Sequence, residues 1–198
     1  MTQTPSAADD RRSGLVAVVG LLGVMWVAEI VDTVLGGRLD ALGIEPRDTG
    51  GLSGVVLAPF LHGGFGHLVS NTVPFLVLGA LVALSGLARV LTVAALVTVI
   101  SGLGVWLFAP ATTLHIGASG VVFGFAAYLV GRGWFDRRVG YVAVALLVVV
   151  VYGTSLLLGL LPRPGVSWQG HLFGAVGGLV AARLLARPSP RRRARPAA

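Results

Sequence analysis

The 198-residue chain has no cysteine. That absence removes disulfides, thiol nucleophiles and thiolate metal sites together. Lysine is missing too, so all fifteen basic residues are arginine, a bias that fits GC-rich coding better than any binding chemistry. Charge of either sign is scarce, at 12% of residues, with only eight acidic side chains. No HExxH motif is present, and His62 stands five residues before His67, a poor spacing for ligands on one helix. Neither zinc nor any other cofactor is therefore expected.

What remains is apolar. Hydrophobic residues make up 55% of the chain and the mean hydropathy is +0.87, values that predict an all-α polytopic membrane protein of one domain rather than a soluble fold. The net charge of +7 is concentrated at the C-terminus in Arg183, Arg187, Arg191, Arg192, Arg193 and Arg195. Such a cluster predicts a cytoplasmic tail over residues 188–198 that meets the lipid bilayer, with no nucleic-acid partner. Residues 1–14 are polar and are expected to be disordered. Residues 15–35 form a first apolar run of about 31 Å as a helix, enough to cross a core of about 30 Å. It exceeds the h-region of a signal peptide and has no clear A-x-A site. A Gly-rich connection over 36–61 is followed by apolar runs at 68–87, 90–109, 117–131, 139–161 and 168–186. The expected membrane domain, 15–187, thus holds six transmembrane helices.

Arginine placement sets the expected orientation. With the N-terminus inside, Arg11, Arg12, Arg89, Arg132, Arg137, Arg138 and the six C-terminal arginines lie inside, and only Arg38, Arg47 and Arg163 lie outside. Short cytoplasmic loops carry the positive excess, so both termini are expected in the cytoplasm of a plasma-membrane protein. Spans two, four and six then begin on the outer side. The fourth, 117–131, covers only about 22 Å, so residues 110–116 should dip into the membrane and leave Ser119 at the floor of a wet depression.

Polar groups gather at those three helix starts: His62, His67 and Asn71, then Ser119, then His171. Serine among glycines is ordinarily helix-packing material. Gly120 and Gly124 form one GxxxG, however, and Gly174 and Gly178 another. If those patches pack together, Ser119 and His171 meet at the outer end of the contact, as nucleophilic catalysis requires. His67 and Asn71, spaced i, i+4, face the same place. The Asn71 amide could serve an interhelical hydrogen bond or donate to an oxyanion. The α/β-hydrolase elbow is excluded, because Val121 stands where G-x-S-x-G needs glycine.

The stretches LAPFLHGGFGHLVSNTVPFLVLG, GASGVVFG and GHLFGAVGG, in this order and on these spans, resemble the rhomboid family of intramembrane serine proteases. The resemblance covers nearly all of residues 15–187. It implies a six-helix bundle in which Ser119 is the nucleophile and His171 its base, a dyad without a carboxylate. It further implies an oxyanion site from Asn71, His67 and the backbone N–H groups of Ala118 and Ser119. Phe123 falls where some members have tyrosine, so stacking on His171 is expected without a hydroxyl contact. Substrates would be transmembrane segments of membrane proteins, entering sideways near residues 139–161 and the loop 161–168. A catalytically inactive rhomboid-like binder of membrane clients is the competing reading. Glu29 and Asp32, near the outer end of the first span, are the only acids placed to complete a triad; pairing with Arg38 or Arg47 is the structural alternative.

Overall fold

The computed structural model describes residues 6–186, which are helical throughout apart from their connections and contain no strands. There are seven α-helices among the described residues: α1 (Ala7–Val34), α2 (Gly54–Leu57), α3 (Phe65–Ala83), α4 (Leu87–Phe108), α5 (Ser119–Asp136), α6 (Val139–Gly159) and α7 (Trp168–Leu184). The expected count of six is exceeded by α2, four residues within the connection 36–61. Four helices, α1, α3, α4 and α6, are long and apolar enough to cross a membrane on their own.

Two expected boundaries are corrected. Residues 7–14 are not disordered but form the start of α1. The reason is local: Ser6 and Asp9 build a capping box, each side chain accepting the other's backbone N–H at 3.2 and 3.3 Å, which satisfies donors that a helix start leaves orphaned. Asp10 then accepts the Leu87 N–H at 3.0 Å and so ties this first turn to the start of α4. The fourth apolar run does not stop at Gly131. As α5 it continues to Asp136, because Arg132 pairs with Asp136 one turn on, at 3.4 Å, and can be buried there. At 18 residues α5 is about 27 Å long. The segments 1–5 and 187–198, including the expected tail, lie outside the described residues.

α5 is the central helix. Phe125, Ala126 and Tyr128 are wholly enclosed, and they pack with Val18, Phe75, Leu78, Val93 and Val97 of α1, α3 and α4 into one core. On its other side α5 meets α7 backbone to backbone. A Cβ placed on Gly174 would lie 2.1 Å from the Gly120 carbonyl oxygen, and one on Gly178 would lie 2.1 Å from that of Gly124. The two GxxxG patches therefore face each other, and only glycine permits the approach. α6 is the least enclosed long helix, burying only Ala145, Val148 and Gly159. Its apolar side chains, Val150 and Leu146 among them, point outward, as a lipid-facing surface requires.

Candidate active site

Ser119 opens α5. The turn before it needs a positive φ, +114° at Gly117, and a Cβ there would press to 2.6 Å from His67 Cε1. Glycine is thus required both for the turn and for the close approach of the α3 histidine. The segment leading in is held from outside: His115 pairs antiparallel with Ile44, and the Gly117 N–H donates to the Ala58 carbonyl at 2.8 Å. The 36–61 connection is therefore the prop that sets the height of Ser119.

α7 delivers His171, which is buried. Its Nε2 lies 2.8 Å from Ser119 Oγ, and its Nδ1 lies 2.7 Å from the Gly159 carbonyl oxygen at the end of α6. A carbonyl only accepts, so Nδ1 carries the ring proton and Nε2 is left with a lone pair for the serine O–H. Phe123 stacks on the imidazole, with centroids 4.1 Å apart and planes within 6°. Packing, not a carboxylate, fixes the ring.

Ser119, His171, His67 and Asn71 line one cavity of about 860 Å³ between α3, α5, α6 and the loop before α7. Asn71 Nδ2 donates to the His67 carbonyl at 3.0 Å, which uses one of its two N–H groups. Pro74, also lining the cavity, has no N–H to offer the Ser70 carbonyl one turn back. The Ser119 N–H has no hydrogen-bond partner among the described residues, as expected for the first turn of a helix. The Ala118 N–H differs from expectation. Instead of standing free it donates to His62 Nε2 at 3.3 Å. Burial pushes the His62 imidazole down to about 4, so the ring is neutral near pH 7 and able to accept.

Glu29 and Asp32 do not approach His171. Asp32 accepts the Leu39 N–H at 2.6 Å and so closes the turn after α1, and buried Glu29 Oε2 has no hydrogen-bond partner among the described residues. Neither pairs with Arg38 or Arg47; Arg47 instead donates to the Leu107 carbonyl at 3.3 Å.

One lining residue had no signal in the sequence. His115 bridges Thr113 Oγ1 and Ser167 Oγ, at 2.7 Å to each, and joins the loop before α5 to the cap of α7. Ser167 in turn accepts the His171 N–H at its carbonyl.

A Rhomboid domain model matches residues 49–188. An uncharacterized protein of Mycobacterium tuberculosis is 42% identical over 205 residues, covering 97% of this chain and 85% of its own length. One from Mycobacterium leprae is 42% identical over 192 residues, 91% of this chain and 75% of its own. YdcA of Bacillus subtilis, provisionally named a rhomboid protease, is 31% identical over 134 residues, 67% of this chain and 66% of its own.

Proposed function

The chain belongs to the rhomboid family, and from that premise we propose that it is an intramembrane serine endopeptidase working through a Ser119–His171 dyad. The observation that carries the proposal is the 2.8 Å contact of Ser119 Oγ with a His171 Nε2 whose other nitrogen is already committed to Gly159. Ser119 Oγ adds to the scissile carbonyl carbon while its proton passes to Nε2. The resulting oxyanion is received by the free Ser119 N–H, the second Asn71 N–H and the His67 ring. Preorganised donors of this kind act most strongly on the charge that develops in the transition state. His171 then protonates the leaving amine as the C–N bond breaks; a water next adds to the acyl carbon while giving its proton to Nε2, and the C–Oγ bond breaks as Nε2 returns that proton to Ser119 Oγ. Ala118 can join the oxyanion donors only by exchanging His62 for the new oxygen.

Substrates are transmembrane segments cut near the extracytoplasmic side, with both termini of the chain in the cytoplasm. Supporting this are the arginine distribution and the weakly buried α6, which forms one wall of the cavity and is the helix most easily displaced sideways. The reading as an inactive binder of membrane clients does not account for a serine and histidine held in hydrogen-bond contact. The test is co-expression with candidate single-span membrane proteins. Cleavage products accumulating with wild type and absent with Ser119→Ala are the expected result. Equal products with both would remove Ser119 from the chemistry.

A further inference from the structure

A second cavity, of about 310 Å³, opens between α1, α3, α5 and α6 at the end of the bundle away from Ser119. Its position is fixed by Arg132, thirteen residues and so about 20 Å along α5 from Ser119. Arg11, Ser85, Arg132 and Tyr141 form its polar wall, and Leu129 and Val144 its apolar one. Arg132 is locked in place. It donates to Asp136 and to Ser85 Oγ, and its guanidinium lies over the Tyr141 ring at 3.7 Å from the centroid. Arg11, on α1, has no ion pair or hydrogen bond among the described residues.

The geometry points to a binding site for one anionic phospholipid, its phosphate on Arg11 and the edge of Arg132 and its first acyl carbons against Leu129 and Val144. Three observations argue for that occupant. A pocket at a bundle end, half cationic and half apolar, matches a molecule that is itself half anionic and half apolar. The size suits a single small ligand. The surrounding end of the bundle carries Arg11, Arg12, Arg89, Arg132, Arg137, Arg138 and Arg183 against Asp9, Asp10 and Asp136, and basic pockets between helices on the cytoplasmic side recognise anionic head groups. Asp9 and Asp10 are already used as helix caps. The chain's own Arg-rich C-terminal sequence is excluded as occupant by like charge. The inference rests on the membrane placement of the family and not on catalysis.

The experiment uses full-length Ser119→Ala protein in nanodiscs of phosphatidylcholine containing a minor share of phosphatidylglycerol, with retained lipid counted by native mass spectrometry. Phosphatidylglycerol should be retained about fivefold over its share of the bilayer, the effect of roughly one arginine at a membrane surface. Arg11→Gln should abolish the enrichment. Gly140→Leu should do the same by filling the cavity, since a Cβ at Gly140 meets nothing within 4 Å, in protein whose thermal stability matches that of the parent. Arg38→Gln, at the other end, should leave the enrichment unchanged. Enrichment that survives Arg11→Gln and Gly140→Leu, or falls equally in Arg38→Gln, would overturn the site in favour of diffuse surface charge. Displacement of the lipid by millimolar glycerol 3-phosphate would overturn the acyl-chain contact.

Discussion

His171 Nδ1 lies 2.7 Å from the Gly159 carbonyl oxygen, in the place where a triad would put its acid. A backbone acceptor fixes the same tautomer as a carboxylate but supplies no full charge to stabilise the imidazolium. The ring is held instead by the Phe123 stack and by α6 itself: a Cβ on Gly159 would meet Phe123 Cζ at 2.4 Å and His171 Nδ1 at 3.2 Å. Gly159→Ala should therefore lower turnover about a hundredfold, the usual effect of displacing a catalytic group by about 1 Å, in protein whose substrate affinity is unchanged. Turnover equal to wild type would mean that the α6 end does not position His171.

With Gly159 as the partner of His171, the proposed dyad calls for no acid. Glu29→Gln and Asp32→Asn, assayed in folded protein, should keep turnover within about tenfold of wild type, against the loss of about 10⁴ that follows removal of a triad acid. A collapse to that level in either variant, with thermal stability intact, would show that a carboxylate takes part.

Asn71 keeps one amide N–H free toward the cavity while the other holds the His67 carbonyl. Asn71→Ala should lower kcat by about 10² with little change in KM, since an oxyanion donor acts in the transition state. A rise in KM with unchanged kcat would make Asn71 a substrate-binding group only.

Much of this site was legible because it rests on short local signals. Glycine spacing in GASGVVFG and GHLFGAVGG already implied the α5–α7 approach, and backbone-to-backbone packing leaves little freedom for Ser119 and His171 at its end. The i, i+4 pair His67 and Asn71 was readable for the same reason. Contacts decided by distant loops were not. Nothing near Ala118 announces that its N–H meets His62, 56 residues earlier, and nothing near His115 announces Ser167. The early start of α1 was different, since the Ser6–Asp9 capping box is a local signal obscured by the polar composition around it. Polarity alone had suggested disorder.

The arginine distribution predicts the orientation independently of the chemistry. Reporter fusions after Ala198 should behave as cytoplasmic, and fusions between Pro162 and Ser167 as external. The reverse pattern would move the cavity to the cytoplasmic face.

In the proposed dyad the His171 lone pair makes Ser119 a nucleophile. Full-length protein treated with a fluorophosphonate probe should be labelled once, with the adduct mapping to Ser119 by mass spectrometry. Labelling should be absent in Ser119→Ala and reduced at least about a hundredfold in His171→Ala, since without its base the hydroxyl is an ordinary alcohol. Glu29→Gln should label as wild type does. Labelling of Ser119 that persists undiminished in His171→Ala, or an adduct on another residue, would contradict the dyad.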